Sequence, residues 1–284
     1  MSIRIVTDSC CDIPLSTAEE LDITIVPVVV NFGTETYTDF DLSRDEFWRM
    51  TEEVCHPQSS QPPVGAFVEA FKPLVEAGHE VVCVTVTGKM SGTFNSASTA
   101  AQQFGGRVTI MDSLALSWGI ALQALAAREA AESGRSVQEI REILVDLRER
   151  TRMFLLFDTI EYLERGGRAS RAMPAIKRVI RFLGIKPLLT VVEGELKLLG
   201  AVRSYQKGLE RLQEEVVALG PLETLAVVHI RRHQLAQEFA DWVSEQLGYP
   251  RENIVIAETG PGLSCHGGPG VMGLLATPKP SEEV

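Results

Sequence analysis

Three short apolar runs, each stopped by small or polar residues and each separated from the next by helical patterning, constrain this chain most. IRIVT (3–7) stops at Asp8-Ser9, EVVCVTVT (80–87) at Gly88, and RVTIMD (107–112) at Ser113. Runs this short and this continuously apolar suit strands covered on both faces. VGAFVEAFKPLVEAG, closed by Gly78, and SGTFNSASTAAQQF lie between them with helical spacing; LSWGIALQALAAREAAE and SVQEIREILVDLRERT follow. This alternation predicts a parallel, doubly wound sheet. A further strand is expected over ITIVPVVV (23–30), and a Ser-capped helix over 43–54 with Phe47, Met50 and Val54 on one face. CHPQSSQPP should be irregular, because Pro62 and Pro63 stop a regular element.

After about residue 150 the pattern changes. RMFLLF reads as a strand and DTIEYLERGG as a short helix ended by glycines. RAMPAIKRVIRFLG reads as a basic amphipathic helix. PLLTVVEGELKLLGAVR places Glu193-Gly194 between two apolar runs, a hairpin signal. A helix over 204–218, a strand at TLAVVHI, a helix over 233–247 and a strand at NIVIAE complete an α+β half with a mixed sheet. Two unlike α/β domains are therefore expected, 1–153 and 154–284, with the boundary near 150–155.

The chain's 284 residues and 45% apolar content are ample for such cores. Its net charge of -11 makes it a poor general binder of nucleic acid, which needs a dense positive face. No run approaches the ~20 apolar residues of a membrane span. MSIRIVTDSC carries no charged leader before an apolar stretch, so no signal peptide is expected. The five cysteines, Cys10, Cys11, Cys55, Cys83 and Cys265, match no metal ribbon or C-x-x-C pair. Reduced thiols in a cytoplasmic protein are the expectation, with no metal and no cofactor.

Open parallel sheets bind ligands beyond the carboxyl ends of their strands. The richest such end is TGKMSGT (87–93). Ser91, Gly92 and Thr93 fall where a helix begins, so free N–H groups and hydroxyls could cradle a phosphate or a carboxylate. The spacing fits neither a Walker A loop nor a G-x-S-x-G elbow. An N-cap role for Ser91 is expected as well and is compatible with ligand binding. VTDS (6–9) and IMDS (110–113) both end a strand with Asp-Ser, a helix-cap pattern. Ser59 and Ser60 of SSQPP could reach the same face. TGPGLSCHGGPGVMG (259–273) is too glycine-dense for ordinary turns, so its backbone should approach something closely, with His266 inside it. Arg168, after two glycines, could clamp an oxyanion, although a surface arginine is the commoner case. His229 and His233 lack the context of a metal site. The order Ser91, Asp112, His266 imitates an α/β-hydrolase triad, which remains a rival.

Taken together, VTDSCCDIP (6–14), SSQPP (59–63), MSGTFNSA (90–97), MDSLALSWG (111–119), TIEYLERGGRAS (159–170), IKPLL (185–189), AVRS (201–204) and HGGPGVMG (266–273) resemble the DegV family of lipid-binding proteins, which includes the fatty-acid-carrying subunit of bacterial fatty acid kinase. They occur in family order over nearly the whole chain. The resemblance implies two unlike α/β domains with a fatty acid buried between them. It implies that Ser91, with Gly92 beside it, holds the carboxylate, and that Ser59 stands where the family usually has threonine. It further implies that His266, Arg168 and Arg203 face the head group or its phosphorylated form. The protein would then be no enzyme itself. It would carry a long-chain fatty acid and present it to a separate kinase, with transient membrane contact for delivery. The local basic stretch of Arg165, Arg168, Arg171, Lys177, Arg178 and Arg181 is either a solvated face or a docking face for that kinase or an anionic membrane. Segments near 53–63 and 171–183 are candidate gates. The rival function is a serine hydrolase or acyltransferase using Ser91 and His266.

Overall fold

The computed structural model describes residues 2–168 and 184–280. The expected basic helix over 171–184, with Arg171, Lys177, Arg178 and Arg181, lies almost wholly outside them. The chain divides into two compact units. One holds residues 1–149 together with Gly260–Cys265, and the other holds residues 150–259 and 266–284.

The first unit is built on a four-stranded parallel sheet in the order β2-β1-β6-β7. The strands are β1 (Ile3–Asp8), β2 (Ile23–Val26), β6 (Glu80–Thr85) and β7 (Val108–Asp112). Side chains alternate across a strand. Ile5, Val82 and Val84 pack with Ile120, Ala124, Ala127 and Leu144 on one face, which carries α5 (Trp118–Glu132) and α6 (Val137–Arg150). Val6, Val81 and Cys83 pack with Phe67, Phe71, Ala97 and Ala100 on the other, which carries α3 (Val64–Glu76) and α4 (Thr93–Ala101). This is the doubly wound arrangement that the continuous apolar runs require. Phe67 and Phe71 are fully buried, and truncating either to alanine should cost about 3–5 kcal/mol.

Two sequence expectations change here. The run 23–30 is not one strand. Pro27 has no N–H to continue a ladder, and the chain leaves the parallel sheet there. Val29–Phe32 (β3) instead centres a separate antiparallel sheet in the order β4-β3-β5, with β4 at Glu35–Thr38. The supposedly irregular segment 55–63 supplies β5, Gln58–Ser60, with Ser59 opposite Val30. Backbone pairing with β3, and a hydrogen bond from the Asn31 amide to the Ser60 hydroxyl, make this three-residue polar strand. The helix over 43–54 forms as expected, as α2 (Arg44–Glu53), closed by a reciprocal capping box between Ser43 and Glu46.

The second unit is a six-stranded mixed sheet in the order β10-β9-β8-β13-β11-β12. Strands β8 (Arg152–Leu156), β11 (Leu222–His229) and β12 (Ile254–Glu258) follow the apolar runs. The hairpin of β9 (Lys186–Val192) and β10 (Glu195–Val202) turns at Glu193 and Gly194, both at positive φ. One strand was not foreseen. Met272–Pro278 (β13) lies between β8 and β11, antiparallel to both. Gly273 lets it fit, because a Cβ there would collide with Val228 and Leu155. The helices Tyr205–Ala218 and His233–Leu247 bury Leu209, Leu212, Val216, Phe239 and Val243 in one apolar cluster with sheet residues.

Candidate functional site

In the first unit, the turn after β6 is closed on itself. Met90 and Ser91 both donate their N–H to the Thr87 carbonyl, and Lys89 N–H donates to Thr87 Oγ1. Asp112, at the end of β7, holds this turn to its neighbour. Its Oδ2 accepts from Gly88 N–H at 3.1 Å and its Oδ1 from Leu114 N–H at 3.0 Å. The parallel pairing of Thr85 with Asp112 brings the two strand ends side by side.

Gly92, not Ser91, is the N-cap of α4, and no side chain caps it. The first turn of α4 therefore keeps N–H groups that an anion can take. Ser91 sits one residue earlier, half-buried. Its Oγ accepts from Thr93 N–H at 3.2 Å and lies 2.8 Å from Thr93 Oγ1. The second loop reaches the same turn. A Cβ on Gly92 would lie 2.9 Å from Gln61 Cδ, so the Gln61 amide rests on the bare backbone of the N-cap. This contact joins SSQPP to MSGT through Gln61, whereas the sequence expectation named Ser59 and Ser60. Ser59 is half-buried on β5, two residues before Gln61.

The first unit also holds three carboxylates withdrawn from solvent, Asp8 and Asp39 buried and Asp12 half-buried. Asp8 accepts from Cys10 N–H and Val86 N–H, and burial pushes its pKa up to about 6. Asp12 accepts from Gly260 N–H at 2.8 Å and from the Ser117 hydroxyl at 2.5 Å, and burial raises it to about 7. Asp39 accepts from Gly262 N–H at 2.7 Å and is also raised by burial. The Asp12 and Asp39 contacts hold Gly260–Cys265 in the unit, and Gly262 packs so tightly on Val28 that a side chain would collide. Burial raises the thiols of Cys10, Cys11 and Cys83, which keeps them protonated and weakly nucleophilic. The two Asp-Ser echoes differ in use. Asp8 caps the 3-10 turn Ser9–Cys11, whereas Asp112 braces loop amides and caps no helix.

In the second unit, two glycine-rich motifs meet. α7 (Glu161–Arg165) ends at Gly166, and a Cβ there would fall on the His266 imidazole. Gly268, at positive φ, packs against the Tyr162 ring. Arg168 folds back so that its guanidinium donates to Gly166 O at 2.5 Å. The glycine density of 259–273 thus serves close approach, as expected, and part of it is helical, Pro261–Gly267. Arg203 is exposed just before Ser204, the cap of the Tyr205–Ala218 helix, and belongs to neither contact set.

His229 Nδ1 accepts from Arg232 N–H, and its Nε2 lies 3.4 Å from His233 Nδ1. Among the described residues, no group of three or more His, Cys, Asp or Glu could hold a metal ion. Nor is any helix among them long and apolar enough to cross a membrane. Sequence reading missed the roles of Gln61, Thr93, Asp12 and Asp39. Gln61, Thr93 and Asp12 lie inside the SSQPP, MSGTFNSA and VTDSCCDIP motifs, whereas Asp39 lies in none of them.

A family model described as uncharacterised protein, DegV family, matches residues 2–279. The DegV domain-containing protein YejH of Lactococcus lactis is 31% identical over 282 residues, covering 97% of this chain and 99% of that protein. The solved structure of a DegV family protein from Thermus thermophilus, described by its fatty acid binding, matches with a TM-score of 0.86 at 29% identity, covering 98% of this chain and 100% of the other. A stearic-acid-binding protein from Eubacterium ventriosum matches with a TM-score of 0.84 at 27% identity, covering 98% of each chain.

Proposed function

This chain belongs to the DegV family, and from that premise we propose that it binds a long-chain fatty acid and presents the carboxylate to a separate kinase. The observation that carries the reading is the first turn of α4, whose N-cap Gly92 has no capping side chain, with the Ser91 hydroxyl and the Gln61 amide beside it. Every group offered there can donate to a carboxylate, which accepts only. Relatives at 29% and 27% identity are described as binding fatty acids.

The energetics suit such a ligand. A tail of about fifteen methylenes, at about 0.8 kcal/mol each, contributes a gross ~12 kcal/mol before association costs. A buried carboxylate without donors would forfeit much of that. Ser59, Ser91 and Gly92 are proposed to supply the donors.

The kinase would bring ATP. A carboxylate oxygen attacks the γ-phosphorus, the bond to the ADP oxygen breaks, and an acyl phosphate forms. His266, Arg168 and Arg203 are proposed to stabilise the added negative charge. This chain supplies no cofactor and acts in the cytoplasm. The basic stretch beginning at Arg165 and Arg168 is proposed to dock the kinase or touch an anionic membrane during exchange.

The test is a split of effects. Ser91→Ala should lose fatty acid retention, by about tenfold or more for one hydrogen bond to a charged group. Arg168→Ala and His266→Ala should retain the lipid and lose phosphoryl transfer in the presence of kinase. Equal, mild effects at all three positions would contradict the assignment. The hydrolase rival requires covalent labelling of Ser91 by a fluorophosphonate. The engagement of both Asp112 oxygens by backbone amides favours the carrier.

A further inference from the structure

Thr93 is fully buried, and its Oγ1 lies 2.8 Å from Ser91 Oγ. Ser91 Oγ also accepts from Thr93 N–H at 3.2 Å. Two directions are open to the hydroxyl pair. If Ser91 donated to Thr93, the proton of a fully buried threonine hydroxyl would need another acceptor, and buried hydroxyls are seldom left without one. If Thr93 donates, every contact is satisfied. Ser91 Oγ then accepts twice from Thr93, and its own proton turns to the half-exposed side of the turn. An oxygen that accepts hydrogen bonds is polarised into a stronger donor.

We infer that Thr93 is a positioning residue that fixes Ser91 as a donor, and so biases the site toward an ionised carboxylate over a hydroxyl head group of the same chain length. This rests on the fatty-acid reading above. A carboxylate oxygen can take the oriented proton in a charge-assisted bond, the strong kind. An alcohol gains only a neutral bond and must find an acceptor for its own proton, which a double-accepting Ser91 cannot supply. The first turn of α4 offers donors only; the Gln61 amide beside it can donate to the acid or accept from the alcohol, so it does not set the preference.

The experiment measures affinity for a fatty acid and for the fatty alcohol of equal length, in wild type, Thr93→Val and Thr93→Ser. Thr93→Val keeps the shape and removes the hydroxyl. It should weaken acid binding by about tenfold, while alcohol binding changes by less than about twofold, because only the charged ligand loses an oriented donor. Thr93→Ser restores the hydroxyl and should restore most of the preference for acid. Thr93→Ala serves as a second hydroxyl-free variant if the valine does not fold, with melting curves to confirm folding. Equal losses for both ligands, no loss for either, or no rescue by serine would overturn the inference. Wild-type protein that binds neither ligand would instead overturn the fatty-acid reading, and this inference with it.

Discussion

The Gln61 amide lies against Gly92 so closely that a Cβ at position 92 would stand 2.9 Å from Gln61 Cδ and 3.1 Å from its Oε1. The contact ties the loop after β5 to the N-terminus of α4. Gly92 has φ -78, which alanine also tolerates. Gly92→Ala should therefore fold with little change in melting temperature but push Gln61 aside, weakening fatty acid binding by about tenfold. Gln61→Ala should weaken binding too. The double variant should be no worse than the poorer single one, since both break the same contact. Strict additivity in that cycle would show that the two residues act separately.

A second close approach joins Gly166 to His266 in the other unit. The imidazole occupies the space where a side chain on residue 166 would stand. Gly166→Ala must displace the ring, at a cost of about 1–3 kcal/mol for overpacking. It should also copy the effect of His266→Ala on phosphoryl transfer. A Gly166→Ala protein with full transfer would show that the position of His266 does not matter to that step.

Buried Asp8 and half-buried Asp12 give the protein a pH signature. Asp8 and Asp12 have folded pKa values of about 6 and about 7, raised by burial from 3.8. Between the unfolded and folded values the native state binds more protons than the unfolded chain. Stability should therefore fall as pH rises from about 4 toward 7, and level off above. Asp12→Asn can keep both contacts, its oxygen accepting from Gly260 N–H and its amide donating to Ser117 Oγ. Thermal melts from pH 5.5 to 8 should show wild type losing several degrees, and Asp12→Asn losing fewer. Parallel curves for the two proteins would remove Asp12 from the account.

Much of the fold was legible because the physics behind it is local. Strands buried on both faces are apolar along most of their length, and β1, β6 and β7 are, with polar residues mainly at their ends. Ser43 with Glu46, and Glu193 with Gly194, announce a helix start and a hairpin turn through their own side chains and backbone freedom. The strand β5 was invisible, because Gln58, Ser59 and Ser60 carry no apolar pattern and are ordered by pairing with β3. Pro27 inside 23–30 was the available sign of the break between β2 and β3. The strand β13 was hidden by the glycines before it, which read as loop, and by Gly273 inside it, which makes room for Val228 and Leu155.

The site divides in the same way. Ser91 and Gly92 stood out because small hydroxyls and glycines at a strand end suit an anion. That Gly92 rather than Ser91 caps α4 depends on backbone geometry. The parts played by Gln61, Thr93, Asp12 and Asp39 arise from contacts between segments distant in sequence or from the direction of one hydroxyl. No residue type at those positions signals them in advance.

The most direct test of the central claim is mass spectrometry of freshly purified protein, first in the native state and then after denaturing extraction. A stoichiometric long-chain fatty acid should be seen as an added mass on the native protein and recovered in the extract. An extract without lipid, from protein that also fails to take up added fatty acid, would contradict the carrier function and leave only the fold.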